Sequence, residues 1–284
     1  MTLLERKILG GCQNRPGPNK VRVWGILQPL GDAAKLFSKR FFSPYKRFTS
    51  YFILGPLLAF WLIGLLFIIL PISYLFLRVD WSALLLLVIL RVGVYPLILR
   101  GWGSNRKYSI IGAIRGIAQT ISYEIRLSLL FFSLLLLYWS LSIGHLNDLR
   151  KGARGALMIA CWLPLWVLSC LAETNRTPFD FREGESELVS GFNTEYGGFG
   201  FALIFMAEYG IILFFSYMTR TVLLGIQAER IFSSLRAVLL VSFWIWVRGS
   251  FPRYRYDKLI DLCWKLVLPI SAMCLCFRVI TANL

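Results

Sequence analysis

Long runs of apolar residues, separated by short polar segments, dominate this chain from residue 51 onward. Each run is close to the twenty or so residues that an α-helix needs to cross the hydrocarbon core of a bilayer. The runs lack the alternation of apolar and polar positions that marks membrane β-strands, so each is predicted to be a helix. The seven predicted spans are residues 51–77, 81–99, 109–141, 155–171, 198–219, 231–247 and 259–280.

The first fifty residues contain no such run. Basic and apolar residues recur at helical spacing from Gln28 to Arg47, which predicts a short amphipathic helix lying along the membrane surface. The expected fold class is therefore an all-α polytopic membrane protein. It has an amphipathic segment, residues 1–50, and a seven-helix membrane domain, residues 51–284, with an acidic loop at residues 173–197.

The charge distribution predicts an orientation for the chain. Hydrophobic residues make up 57% of the sequence, mean hydropathy is +0.64 and the formal net charge is +16. In a soluble protein this charge would suggest a nucleic-acid partner, but here most of the 31 Lys and Arg fall before the first span and in alternate loops. By the positive-inside rule, the N-terminus and the acidic loop lie on the cytosolic or matrix side and the C-terminus on the other, and no nucleic-acid partner is expected.

Acidic residues are concentrated near this loop. Glu208 lies about ten residues, or about 15 Å, into its span, near the middle of a hydrocarbon core about 30 Å thick. An ionised carboxylate at that depth costs several kcal/mol, so it should be ion-paired, solvated by a water-filled cavity, or protonated. The acids between residues 173 and 208 are Glu173, Asp180, Glu183, Glu185, Glu187, Glu195 and Glu208.

Two interpretations of these carboxylates compete. A structural ion pair would join Glu208 to Arg126 or Arg115 in the same bundle. The favoured interpretation is proton handling, because Glu124 also lies within a span, Glu173 closes one, and like charges that converge disfavour each other's ionisation.

Arginines and aromatic residues alternate from Arg248 to Lys258, on the same side of the membrane as the acidic loop. Such a stretch can hold a polar ring by hydrogen bonding and stacking, or it can bind lipid headgroups, and the pattern alone leaves both open. The acidic loop also carries Arg176, Arg182 and small or aromatic residues, which predicts a packed loop that covers a cavity.

A protein-bound metal, haem or iron–sulfur cluster is not expected. The six cysteines form no C-x-x-C motif, and His145 is the only histidine.

The motifs, taken in order, closely resemble those of the family of subunit 1 of mitochondrial NADH dehydrogenase, the quinone-site membrane subunit of respiratory complex I, whose bacterial counterpart is the H subunit. The resemblance covers almost the whole chain. It rests on Glu5-Arg6-Lys7, Gly17-Pro18-Asn19, Leu27-Gln28-Pro29 with Asp32 and Lys35-Leu36, Gly101 to Asn105, Ala118 to Glu124, Ala172 to Asn193, Glu195-Tyr196, Ala207-Glu208-Tyr209 and Pro252 to Asp257.

The resemblance implies a subunit of an H+-translocating NADH:ubiquinone reductase in the mitochondrial inner membrane, with its N-terminus on the matrix side and its C-terminus on the intermembrane-space side. Ubiquinone would be the substrate, and NADH, FMN and iron–sulfur clusters would belong to partner subunits. The implied partners are the hydrophilic quinone-site subunits, small membrane subunits and lipids. The implied quinone-chamber residues are Arg6, Gln13, Arg15, Asp32, Lys35, Arg176, Arg248, Arg253 and Arg255, and the implied proton relay is Glu124, Glu173, Glu183, Glu185, Glu187, Glu195 and Glu208.

The chain departs from the family pattern in three ways. The family's first transmembrane helix ends just before the motif at Glu5, so a separate polypeptide is expected to supply that helix. Arg40 stands where the family usually has a Glu. Arg91 lies near the centre of its span and needs a carboxylate partner or water that the sequence does not identify.

A different class of protein could use the same intramembrane acids. A secondary transporter or proton channel is one alternative, but the sequence has no internal repeat of the kind that builds transporters. The related subunit of a membrane-bound hydrogenase is another, and binding of quinone-site inhibitors would discriminate it.

Overall fold

The computed structural model describes residues 1–21, 23–39, 49–70, 80–136, 141–143, 153–180, 191–224 and 230–283. Over these residues the chain is helical, with turns and no strand. The predicted all-α class is therefore confirmed for the described part of the chain.

The N-terminal segment contains two short helices where the sequence predicted one. Helix α1 is Thr2–Cys12, and α2 is Gln28–Ser38, with a 3-10 turn at Val23–Gly25 between them. Pro29 lies in the first turn of α2, where its missing N–H leaves no helical hydrogen bond unmade. Helix α2 packs on the membrane helix that follows the acidic loop and has no fully buried residue. Its predicted position along the membrane surface stays a prediction.

Every predicted span overlaps at least one helix. Four apolar stretches of the described chain are long enough to cross a membrane: Ser50–Ile69, Ser82–Ser104, Gly198–Thr221 and Tyr256–Phe277. The predicted total of seven spans therefore stays a prediction. The helices are α3 Thr49–Ile69, α4 Ser82–Val92, α5 Val94–Ser104, α6 Lys107–Leu135, α7 Ala153–Glu173, α8 Gly198–Leu224, α9 Arg230–Ser250, α10 Tyr256–Asp261, a π-helical turn Leu262–Val267 and α11 Leu268–Asn283.

The second predicted span is broken, contrary to the single helix expected at residues 81–99. Helix α4 ends at Val92 and α5 begins at Val94. Pro96 has no N–H to donate to the carbonyl of Val92, so the regular series of helical hydrogen bonds is interrupted there. The N–H of Gly93 still bonds to the carbonyl of Ile89, as in a regular α-helix, and also to that of Leu90. The break lies beside the cavity described below.

Close helix packing around α5 depends on two glycines. A Cβ at Gly101 would lie 2.3 Å from the Cβ of Ala113 on α6, and one at Gly103 would lie 2.8 Å from the backbone N of Phe52 on α3. Any side chain there would force the helices apart. Small residues at helix contacts let backbones approach closely, which is a main source of association between membrane helices.

Aromatic side chains fill the centre of the bundle. The rings of Trp162 and Trp166 on α7 stack with centroids 4.7 Å apart, and Trp166 also contacts Phe131 of α6 and Phe215 of α8. The indole Nε1 of Trp166 donates to Thr219 Oγ1 at 3.1 Å. This core joins α6, α7 and α8 and fixes the positions of the carboxylates that those helices carry.

Candidate functional site

Three of the predicted carboxylates line one cavity among the membrane helices. Glu124 reaches it from α6, Glu173 from the last residue of α7, and Glu208 from α8. The cavity has an empty volume of about 650 Å³, its open mouth included. Apolar side chains of α3 and α4 form much of the remaining wall, and Arg100 and Thr120 also line it. The fold therefore gathers acids that lie far apart in the sequence around one space.

Glu208 forms a buried ion pair. Arg176, in the turn after α7, donates from Nη2 to Glu208 Oε2 at 3.1 Å, and the two side chains are 10% and 8% exposed. The guanidinium of Arg176 also lies 5.3 Å from the ring centroid of Tyr209 and 5.9 Å from that of Phe205. Each of the two buried charges thus has an opposite charge as its partner within an apolar bundle.

The arginines that the sequence suggested as partners of Glu208 make other contacts. Arg126 is fully buried, donates from Nη2 to Cys263 Sγ at 3.1 Å, and lies 3.9 Å from the ring centroid of Tyr123. Arg115 lies 6.0 Å from the ring centroid of Tyr256. An ion pair at Glu208 is thus present, but its partner is Arg176, which approaches from the loop.

Glu124 and Glu173 share a second, smaller cavity with Arg91. Its empty volume is about 220 Å³, and Leu87, Leu90 and Leu127 complete its lining. Oε1 of Glu124 is buried and makes no hydrogen bond to any part of the chain that the structure describes. Arg91 is therefore located beside carboxylates.

A third cavity, of about 370 Å³, lies between α1, α8 and α9. The Oη of Tyr209 donates to Glu5 Oε2 at 2.5 Å, and Arg248 forms an ion pair with the other oxygen of Glu5. Arg176 lines the same cavity. Polar contacts thus run from Arg248 through Glu5 to Tyr209, whose ring Arg176 covers, and on to Glu208.

The other predicted chamber residues lie nearer the surface. Arg6 on α1 donates to Asp32 on α2 at 2.8 Å, and Arg15 donates to Gln13 at 2.8 Å. Lys35 is exposed on α2.

Two predicted chamber arginines follow α9. Arg253 lies 3.5 Å from Asp180 and so joins this segment to the acidic loop. Arg255 pairs with Asp257 at 3.1 Å on the exposed surface. Within the described chain, Arg176 and Arg248 are thus the two predicted chamber residues that line the cavities described above.

Glu195, another predicted relay residue, does not line the central cavity. Glu195, just before α8, forms an ion pair with Arg106 at 3.1 Å. Glu183, Glu185 and Glu187 lie outside the described residues, as does Arg40.

Gln119 supports the cavity wall, and the sequence reasoning gave it no role. It is fully buried on α6, and its Nε2 donates to the carbonyls of Ala172 at 3.1 Å and Phe179 at 3.0 Å. These bonds fix the end of α7, and therefore Glu173, against α6.

The sequence reasoning also gave no role to Glu5, Tyr209 and Arg100. Each could have been selected from the sequence. Glu5 and Tyr209 stand next to predicted residues in the motifs, and Arg100 is a charged residue at the end of an apolar run. In the described part of the chain, no cluster of three or more His, Cys, Asp or Glu side chains could hold a metal ion.

Comparison with known proteins agrees with the motifs. The sequence model of the NADH dehydrogenase family matches residues 1–279. NADH-ubiquinone oxidoreductase chain 1 of Artemia franciscana is 47% identical over 281 residues, which cover 98% of this chain and 91% of that protein. The proteins of the same name from Aedes aegypti and Emballonura alecto are 45% and 42% identical over 276 and 285 residues, covering 95% and 97% of this chain and 87% and 89% of theirs. The chain belongs to the NADH dehydrogenase family.

Proposed function

We propose that this chain is the membrane subunit of a proton-pumping NADH:ubiquinone oxidoreductase, as the names of its relatives suggest. It forms the membrane part of the quinone chamber and relays quinone reduction to proton translocation through buried carboxylates. The observation that carries this proposal is the convergence of Glu124, Glu173 and Glu208, from three helices, on one cavity.

The cavity beside α1 has the donors that a quinone headgroup needs. The two ring carbonyls of ubiquinone accept hydrogen bonds, and each takes up a proton when the ring receives two electrons. Arg176 and Arg248 present guanidinium donors to this cavity, whose other walls include Ile212 and Trp244. Such a mixture of apolar walls and a few donors suits an aromatic ring with polar edges. Arg6, Gln13, Arg15, Asp32, Lys35, Arg253 and Arg255 would line the chamber farther out.

The proposed relay runs from the quinone to the central cavity. Two electrons make the ring negatively charged until two protons neutralise it, and the Arg176–Glu208 pair transmits the effect of this transient charge near Glu5 and Arg176 to the cavity. Glu124 and Glu173 then exchange protons with Glu208 or with water between them. Glu183, Glu185 and Glu187 would connect the chamber to this path, and Glu195 would extend it.

The chain is a multi-pass protein of the mitochondrial inner membrane, with its N-terminus on the matrix side and its C-terminus on the intermembrane-space side. Its partners are hydrophilic quinone-site subunits, which hold the iron–sulfur clusters, and small membrane subunits.

A Glu124→Gln variant tests the relay with little disturbance of packing, because Oε1 of Glu124 makes no hydrogen bond within the described chain. The assembled complex should lose NADH:ubiquinone reductase activity and proton pumping. It should retain NADH oxidation by a soluble acceptor, which takes electrons before they reach the quinone.

The matched control is Asp261→Asn, which removes an exposed carboxylate that pairs with Lys265 at 2.9 Å. It should leave all three activities unchanged. Normal pumping by an assembled Glu124→Gln complex would mean that the cavity is only structural. If the native complex does not bind quinone-site inhibitors, that result would instead favour the related subunit of a membrane-bound hydrogenase.

A further inference from the structure

Arg91 is an unusual residue for its place in the fold. It lies in the last turn of α4, within a candidate membrane span, directly before the break at Gly93. Arg91 is exposed, yet it also lines the small cavity that Glu124 and Glu173 share. The side chain therefore connects the outer surface of α4 with the carboxylates inside.

A guanidinium at this position must be compensated. Arginine stays protonated at all physiological pH values, and a charge within the bilayer is costly unless it is paired or hydrated. Glu124 lines the same small cavity as Arg91, and Oε1 of Glu124 has no hydrogen-bond partner in the described chain. Each of the two charges can therefore compensate the other.

The charges around Glu124 come from four other helices or their ends. Arg91 of α4 and Arg100 of α5 are positive, while Glu173 at the end of α7 and Glu208 of α8 are negative. Glu208 is already paired with Arg176. The two arginines favour an ionised Glu124, and the two carboxylates favour a protonated one.

We propose that Arg91 is a positioning residue for the carboxylate relay, a cation beside the small cavity whose charge favours the ionised form of Glu124, the form that can accept a proton. This inference rests on the proposed function for the meaning of that proton. The electrostatic effect itself can be measured without any turnover.

The experiment measures the infrared C=O stretch of protonated Glu124 at neutral pH. It uses the assembled complex in its own membranes and identifies the band by its loss in Glu124→Gln. In Arg91→Gln the ratio of protonated to ionised Glu124 should rise by about tenfold, the effect expected when one nearby opposite charge is removed. Arg91→Lys keeps the charge and should restore most of the native ratio. Lys265→Gln, which removes an exposed charge elsewhere, should leave the band unchanged.

The activities of the same variants separate this inference from the proposed function. Arg91→Gln should slow ubiquinone reductase activity and move its pH profile, while Arg91→Gln combined with Glu124→Gln should be no slower than Glu124→Gln alone. A Glu124 band that is the same in Arg91→Gln and the native complex would overturn the role of Arg91. If the band changes but Glu124→Gln pumps normally, Arg91 does act on Glu124 and the relay is wrong.

Discussion

The ion pair between Arg176 and Glu208 permits an asymmetric test, because its two members respond differently to the loss of the other. Removing one partner of a buried pair leaves the remaining charge uncompensated, at a cost of about 3–5 kcal/mol. Both side chains here are at most 10% exposed, so screening by water offers little relief. Glu208→Gln leaves a guanidinium that cannot release its proton. The Glu208→Gln variant should therefore be strongly destabilised, and the loss of stability should be nearly independent of pH.

The reverse change behaves differently, since an isolated carboxylate can become neutral. In Arg176→Gln, folded Glu208 should bind a proton that the unfolded chain releases to water. A group that binds a proton only in the folded state adds stability as the pH falls, by about 1.4 kcal/mol for each pH unit above the usual carboxyl range. Relative to the native chain, Arg176→Gln should therefore become less destabilised with each unit by which the pH falls toward the usual carboxyl range.

Thermal inactivation of the complex in native membranes measures both effects. The inactivation rate of Arg176→Gln, relative to the native complex, should fall by up to about tenfold for each unit by which the pH is lowered. The relative rate of Glu208→Gln should not change, and the double variant should be more stable than Glu208→Gln. Equal pH dependence of the two single variants, or a Glu208→Gln complex as stable as the native one, would refute the buried pair.

Two further predictions concern contacts at opposite extremes of burial. Gln119→Leu removes both hydrogen bonds that fix the end of α7 and should destabilise the complex by about 1–3 kcal/mol, seen as faster thermal inactivation; inactivation at the native rate would argue against this support. Arg6→Gln breaks a pair whose side chains are 53% and 38% exposed, so stability should change by less than about 1 kcal/mol. If Arg6 lines the quinone chamber, the KM for ubiquinone should nevertheless rise, and an unchanged KM would remove Arg6 from the chamber.

The helices could be predicted from the sequence because membrane spans depend on the length of apolar runs. Breaks within the runs were harder to predict. The division between α4 and α5 follows from Pro96, whose missing N–H removes a helical hydrogen bond but does not by itself specify a break. The second N-terminal helix was missed because the residues of α1, around Glu5, were considered only as a motif.

The sequence predicted which carboxylates belong to the candidate site, but it predicted less well which arginines lie beside them. Intramembrane acids stand out in any apolar run, so Glu124, Glu173 and Glu208 could be selected from the sequence. Their neighbours could not, because Arg176 pairs with Glu208 across 32 residues of sequence and Arg91 lines a cavity with Glu124 from another helix. Such contacts depend on helix rotation and loop path, which the apolar pattern of a bundle does not specify.

The docking of Glu5 has a consequence for how the chain is made. Its two partners, Tyr209 and Arg248, lie 204 and 243 residues farther along the chain. During synthesis from the N-terminus, α1 therefore leaves the ribosome long before its binding surface exists. Helix α1 can dock only after α8 and α9 have been synthesised, so closure of this end of the bundle is among the last steps of folding.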